Sequence, residues 1–141
     1  FTSADLNKGI SFYEDENEML WFVSNSKDIS RLNLRENKAL EYVSSAPNNT
    51  LSGLVEMISD RAGGMWFITR ANLCRLREGN FRCFAPGEGL PVIDPRSIFV
   101  DSRGWLWIGS RLNGVSLCKN PGEENPQFVN YTAELPSSVV W

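Results

Sequence analysis

The residues of this chain that are best suited to chemistry recur at a fixed spacing. Three segments carry an aspartate followed six residues later by a tryptophan, and they read DENEMLWFVS, DRAGGMWFIT and DSRGWLWIGS. A carboxylate can bind a cation or transfer a proton, and an indole can stack on a sugar or a base. One carboxylate per segment does not supply the roughly six to eight oxygen ligands that calcium takes. Each aspartate is followed by turn residues, so we predict that Asp15, Asp60 and Asp101 cap their own backbone turns.

A second set of polar residues stands four residues after each tryptophan. These matched positions hold Asn25, Arg70 and Arg111. A guanidinium group donates paired hydrogen bonds, so two arginines on one face suit an acidic or hydroxyl-rich ligand. Solvated arginines, or arginines paired with a neighbouring carboxylate, are the alternative. Asparagines on the same loops suit either ligand contact or a turn. The candidate ligand-binding residues are Asn25, Arg70, Arg111, Asn72, Asn113 and Trp105.

The sequence offers few groups for catalysis. It contains no histidine, and its three cysteines form no C-x-x-C pair. Acid–base or nucleophilic catalysis would need an activated carboxylate or cysteine, and no pair is spaced to supply one. We therefore predict no catalytic residue, no metal site and no cofactor. We expect Cys74, Cys83 and Cys118 to be buried small hydrophobic residues, and a disulfide between Cys74 and Cys118 is the alternative.

Composition and charge exclude two classes of partner. The net charge is −3 over 141 residues, and no two lysines or arginines are adjacent. This is not the basic surface that binds nucleic acid or an anionic membrane. The longest apolar run is the five residues MLWFV, whereas a membrane-spanning helix needs about 20. We expect a globular domain that contacts neither nucleic acid nor membrane.

The three segments belong to a repeat of four short strands. The tryptophans are 45 and 41 residues apart, a period that is typical of propeller blades. In the middle copy the strands read LVEMISD, MWFIT, LCRLR and FRCF, separated by the turns RAGG and EGN. No window shows the helical period, so we expect almost no helix. The predicted fold is all-β, a β-propeller segment of about three four-stranded antiparallel blades.

The repeat also predicts the blade boundaries. We place the blades at approximately 9–43, 54–84 and 97–131. The start of the chain resembles YTAELPSSVV near its end, so we expect residues 1–8 to be the end of a preceding blade and a linker, and 135–141 to open a following blade.

The repeated tryptophans are better suited to the core than to a ligand. Each lies in the second strand of its copy with apolar neighbours on both sides, as expected for a sheet that is covered on both faces. We assign Trp21, Trp66 and Trp107 to the core between blades. Trp105 has no aromatic equivalent in the other copies and stays a candidate for ligand contact.

The segment IFVDSRGWLWIGSRLNGVSL resembles the two-component regulator propeller repeat, V-x-x-I-x-x-D-x-x-G-x-L-W-I-G-T-x-x-G-L. The middle copy has one residue fewer after its threonine, and the first copy has Glu18 where the pattern has glycine. The resemblance implies the periplasmic, non-catalytic sensing region of a bacterial membrane receptor with a histidine kinase or cyclase output. It also implies recognition of an oligosaccharide or another small extracellular ligand.

Two other functions stay open at this stage. Open blade faces could associate with each other or with further blades of a parent protein, which would make the chain a scaffold or dimerisation platform. The segment GGMWFIT also resembles the repeats of streptogramin lyases. Those enzymes use a histidine, which this sequence lacks, so we rank an enzyme third.

Overall fold

The computed structural model describes residues 11–36, 41–47, 49–84, 94–111 and 114–131. These residues form twelve β-strands and no helix. The first four strands are β1 (Ser11–Glu14), β2 (Met19–Ser24), β3 (Asp28–Asn33) and β4 (Glu41–Ser45). The next four are β5 (Leu54–Ser59), β6 (Gly64–Thr69), β7 (Leu73–Arg77) and β8 (Asn80–Phe84). The last four are β9 (Pro95–Val100), β10 (Leu106–Ser110), β11 (Val115–Cys118) and β12 (Phe128–Asn130).

The strands form three antiparallel sheets, each of four strands in sequential order. We call them blade 1 (β1–β4), blade 2 (β5–β8) and blade 3 (β9–β12). The first strands of successive blades contact each other, β1 with β5 and β5 with β9, so they lie innermost. This radial arrangement of sequential four-stranded sheets confirms the predicted all-β propeller architecture. Within the described ranges, no helix is long and apolar enough to cross a membrane.

Alternation along the strands gives blade 2 two buried sides. Between blades 1 and 2, Trp21 packs with Met65 and Phe67 of β6. Between blades 2 and 3, Trp66 packs in one cluster with Ile108 of β10. Successive residues of β6 therefore enter different cores, as the two-residue period of a strand requires. Each large apolar side chain buried in this way contributes roughly 1.5–3 kcal/mol.

The cysteine prediction was wrong for two of the three residues. Cys74 on β7 and Cys83 on β8 are register partners with Cα atoms 4.0 Å apart, and they form a disulfide. Cys118 is free and buried, as expected. The alternative Cys74–Cys118 bond is also wrong, because Cys74 faces blade 1 whereas Cys118 lies in the core between blades 2 and 3. Direct pairing across neighbouring strands, which the sequence interpretation did not consider, brings the two bonded cysteines together.

The observed sheets span 11–45, 54–84 and 95–130. The segments that we predicted to flank them, 1–8 and 135–141, lie outside the described residues.

Candidate functional site

The repeated aspartates share one set of hydrogen bonds. In blade 2, Oδ1 of Asp60 accepts the backbone N–H groups of Ala62 (2.7 Å) and Gly64 (2.9 Å). Oδ2 accepts the indole N–H of Trp66 at 2.8 Å. The sequence predicted the turn capping but not the bond to the indole. The constant spacing of six residues between aspartate and tryptophan was the signal that pointed to it.

The same bonds occur in the other two blades. Trp21 donates to Asp15 at 2.7 Å, and Trp107 donates to Asp101 at 2.9 Å. Burial alone would raise the pKa of Asp101, but hydrogen bonds from Trp107, Arg103 and the backbone lower it well below its ordinary value. A carboxylate that is engaged in this way is a poor proton acceptor and a poor metal ligand. The described residues contain no group of three or more Cys, Asp or Glu side chains arranged to hold a metal ion.

The repeated tryptophans are buried to different degrees. Trp66 is fully buried and stacks on Phe84 with ring centroids 5.9 Å apart, while Trp21 is 9% exposed. Trp107 lies on the side of blade 3 that faces away from blade 2 and is partly exposed beside Tyr131, 6.4 Å away. Trp66 is thus enclosed between two blades, whereas Trp107 still presents apolar surface.

The candidate loop residues lie at one end of the blades. Asn25, Arg70 and Arg111 each follow the last residue of a second strand, and all three side chains are exposed. We call this end of the blades the Arg70 face and define it by these three residues. Asn72 has a turn role, since its N–H donates to Oγ1 of Thr69 at 2.8 Å and its carbonyl accepts the N–H of Thr69 at 2.9 Å. Asn113 lies outside the described residues.

Trp105 lies at the opposite end of the blades, which we call the Asp face because it carries the turns that begin at Asp15, Asp60 and Asp101. The guanidinium carbon of Arg103 is 3.9 Å from the Trp105 ring centroid, and Nζ of Lys119 is 4.6 Å away. The structure therefore separates Trp105 from the candidate residues of the Arg70 face. Its ring already contacts two cations of its own blade.

Clefts open between neighbouring blades at the Asp face. The cleft between blades 1 and 2 has a volume of about 530 Å³ and is lined in part by Trp21, Arg31 and Met65. The cleft between blades 2 and 3 has a volume of about 490 Å³, and Arg61 and Lys119 are among its lining residues. Both volumes lie in the range of small-molecule sites, roughly 300–1,000 Å³.

The largest of the described cavities, about 780 Å³, is lined by three arginines of blade 2, Arg75, Arg77 and Arg82. Arg75 and Arg77 alternate along β7, and Arg82 of β8 is the register partner of Arg75, so all three lie on the side of blade 2 that faces blade 3. These three arginines were not among the residues predicted from the sequence. The R-L-R alternation in LCRLR and the arginine in FRCF were signals that could have found them.

Arg75 is buried although it carries a charge. It is 6% exposed, and its guanidinium group donates to three backbone carbonyls of blade 3, those of Pro121 (2.9 Å), Glu123 (2.6 Å) and Glu124 (3.3 Å). Arg82 donates to the Glu124 carbonyl at 2.7 Å. Burial lowers the pKa of Arg75, and the positive charges of Arg77 and Arg82 lower it further. The cluster thus concentrates positive charge between two blades.

Residues 89–111 match the family model of the two component regulator propeller. The matched segment includes β9 and β10 and therefore the bond between Asp101 and Trp107. No curated protein matches the chain.

Solved structures with the same fold include an enzyme and two extracellular domains. Streptogramin B lyase superposes with a TM-score of 0.68 at 17% identity, over 99% of this chain and 45% of that chain. The extracellular domain of a hybrid two-component system from Bacteroides thetaiotaomicron gives a TM-score of 0.54 at 18% identity, over 92% of this chain and 16% of that chain. The extracellular domain of a one-component system from the same organism gives 0.56 at 13% identity, over 86% and 15%. The chain spans less than half the length of each of these structures, and identities this low show a shared fold alone.

Proposed function

We propose that the chain is part of a non-catalytic, ligand-sensing propeller of a bacterial two-component signalling receptor. The two-component regulator repeat at residues 89–111, contained in a three-blade propeller segment, carries this proposal. The likeness to extracellular domains of one-component and hybrid two-component systems supports it. The sensed ligand is an oligosaccharide or another small extracellular molecule, and the chain is periplasmic or extracellular.

The exposed residues of the Arg70 face are the proposed first contacts for this ligand. Arg70 and Arg111 occupy matched positions at the ends of β6 and β10, so their donor groups repeat from one blade to the next. Exposed guanidinium groups suit carboxylate or hydroxyl acceptors of a saccharide.

The structure of the repeat supports a binding role more than an enzymatic one. The streptogramin B lyase likeness, at 17% identity, extends to the fold only. The sequence has no histidine, and the repeated aspartates already accept bonds from indole and backbone N–H groups. These carboxylates are therefore occupied by structural bonds.

Ligand-dependent thermal stability tests the proposal. A panel of neutral and acidic oligosaccharides should contain at least one that raises the Tm saturably, since a ligand at one hundred times its Kd stabilises by about 2.7 kcal/mol. Arg70→Ala should abolish this rise. Arg35→Ala is the matched control, because Arg35 is also an exposed arginine (side chain 76% exposed) but forms its ion pair with Glu18 at the Asp face. A panel without any Tm shift would refute the sensing proposal.

A scaffold is the second candidate, and exposed apolar side chains favour it. On the outward side of blade 3, Phe99, Trp107, Leu117 and Val129 form one cross-strand row, in which Phe99 is 59% and Val129 is 52% exposed. On the outward side of blade 1, Phe12 is 49% exposed. Such surfaces commonly mark contacts with another protein surface. Sedimentation velocity tests this candidate: concentration-dependent association that Phe99→Asp abolishes would support it, and a monomer at high concentration would exclude self-association.

A further inference from the structure

We infer that the cavity lined by Arg75, Arg77 and Arg82 is a binding site for the carboxylate or sulfate group of an acidic saccharide. The inference rests on the proposed sensing function for its biological role. The residues of this cavity differ from those of the Arg70 face. The chemical class of the ligand is inferred from the contacts around the cavity.

The first observation is that the described residues supply no ion pair to the arginine cluster. Within the described part of the chain, no carboxylate oxygen lies within ion-pair distance, 4.0 Å, of Arg75, Arg77 or Arg82. Arg75 and Arg82 donate to neutral backbone carbonyls and to the side-chain amide oxygen of Asn125. Carbonyl dipoles satisfy hydrogen bonds but add no formal negative charge, and Asp60, whose charge acts on Arg75, lies beyond ion-pair distance. A partly enclosed cluster of positive charge favours an anion as its further partner.

The second observation is that one guanidinium group lines the cavity without a protein acceptor. Among the described residues, the guanidinium group of Arg77 has no hydrogen-bond acceptor and no ion-pair partner, and the residue is only partly exposed. Because the backbone carbonyls already hold Arg75 and Arg82 in place, the side chains beside Arg77 are preorganised. A planar oxyanion can accept paired bonds from such a guanidinium fork.

The remaining lining residues indicate that the anion belongs to a hydroxylated molecule. Glu78, Glu123, Glu124 and Asn80 also line the cavity. Carboxylate oxygens accept hydrogen bonds from hydroxyl groups but repel a second anionic group. A volume of about 780 Å³ also exceeds what a bare inorganic ion fills. A sugar ring with one acidic group matches this combination of donors, acceptors and space.

Titration calorimetry at constant ionic strength tests the inference with three sugars of similar size. Glucuronate supplies a carboxylate, glucose 6-sulfate supplies a sulfate, and glucose is the neutral control. We expect at least one of the acidic sugars to bind about tenfold or more tightly than glucose, because a charge-assisted bond is worth at least the 1.4 kcal/mol that corresponds to a tenfold change. The acidic sugar that binds identifies the preferred oxyanion.

Arg77→Gln is the decisive variant, since it removes one charge without breaking the bonds between Arg75 and blade 3. It should weaken binding of the acidic sugar about tenfold, and Arg77→Lys should restore part of the affinity by restoring the charge. Arg35→Gln makes the same change of charge far from this cavity and should bind like the wild type. The Tm of each variant shows whether the fold is intact.

Three results would overturn the inference: equal affinity for glucose and both acidic sugars, equal losses in Arg77→Gln and Arg35→Gln, or inorganic sulfate that binds as tightly as the acidic sugars. The last result would identify a site for a bare anion. If acidic sugars fail while a neutral oligosaccharide still raises the Tm in an Arg70-dependent manner, the anion site is refuted and the sensing function stands.

Discussion

The two inter-blade interfaces place an arginine at the same position and use it differently. In blade 1, Arg31 is the register partner of Trp21. It forms a bidentate ion pair with Glu41 of the neighbouring strand, and each of the two N–O distances is 3.0 Å. In blade 2, Arg75 is the register partner of Trp66, and its strand neighbour is Arg82 in place of a glutamate. Arg75 forms no ion pair with the described residues of its own blade and donates to carbonyl groups of blade 3.

Whether such an arginine can form hydrogen bonds with the next blade depends on the connections of that blade. The connection between β11 and β12 is long, spanning residues 119–127, and it supplies carbonyl acceptors to Arg75. The connection between β7 and β8 contains only Glu78 and Gly79. Blade 1 therefore retains a cleft of about 530 Å³ at the position where blade 2 holds a buried arginine. The role of the repeated arginine therefore depends on two features: the residue beside it on the adjacent strand, and the length of the connection in the next blade.

The largest expected difference concerns the aspartate–indole bonds. Asp60→Ala should lower the free energy of unfolding by about 3 kcal/mol, because it leaves the indole N–H of the fully buried Trp66 without an acceptor and removes two turn bonds. Asp15→Ala should cost about 1–2 kcal/mol, since its bonds are only partly buried. Urea denaturation measures both values. A larger loss in Asp15→Ala would contradict the idea that the interface between blades 2 and 3 is the more enclosed one.

Replacing the two matched arginines tests the comparison directly. Arg75→Met keeps most of the side-chain volume but leaves backbone carbonyls of blade 3 without their donor, so we expect a loss of about 2–3 kcal/mol. Arg31→Met removes an ion pair with a half-exposed glutamate and should cost less than about 1 kcal/mol. The same denaturation assay applies, and equal losses in the two variants would mean that Arg75 contributes no more than a surface ion pair.

A smaller effect on stability is expected at the position three residues after each repeated aspartate. Gly104 has a φ of 82°, and Glu18 occupies the equivalent position in blade 1 with a φ of 60°. Gly104→Ala should destabilise by about 1 kcal/mol, because a Cβ atom disfavours this conformation. Glu18→Gly should stabilise by about 0.5 kcal/mol, the relief of strain exceeding the loss of an exposed ion pair with Arg35. A shift of Tm in the opposite direction for either variant would show that the backbone conformation of the turn does not determine the stability effect of these substitutions.

The pH dependence of stability can be tested at Asp101 of blade 3, which forms an ion pair with Arg103, two residues later in the chain. The folded-state pKa of Asp101 is lower than its ordinary value of 3.8. Its carboxylate therefore stabilises the fold at pH values above about 4, and this contribution is lost as the pH falls further. The difference in unfolding free energy between wild type and Asp101→Asn should stay constant from about pH 7 to pH 5 and decrease below about pH 4. A difference that persists unchanged at about pH 3 would argue against a lowered pKa.

Most of the architecture was predictable because each repeat encodes it locally. Alternating apolar residues and turn residues predicted twelve strands in three sheets, and the turn position of Asp60 predicted its capping bonds. The disulfide between Cys74 and Cys83 was missed, because it depends on the register of β7 with β8. Register is set by the turn and by both strands together, so a search for cysteine spacing alone does not reveal it.

The candidate site was less predictable. Matched positions did place Asn25, Arg70 and Arg111 at equivalent strand ends, because repeat spacing translates directly into strand position. Trp105 was grouped with them by residue type, yet it lies at the Asp face beside Arg103 and Lys119. The spacing of residues within a repeat indicates the strand on which a residue lies. The end of the blade at which it lies depends on the direction of that strand as well.

By itself, the sequence determined the repeat, the number of strands in each blade and the aspartate turns, because these depend on residues that are close together in the chain. Only the tertiary structure decided which arginine is buried and what it contacts. Arg75 and Pro121 are 46 residues apart, and their contact depends on how two blades pack and on the length of the connection that lies between β11 and β12. Contacts between repeats combine residues from two copies, so a pattern within one copy does not contain them.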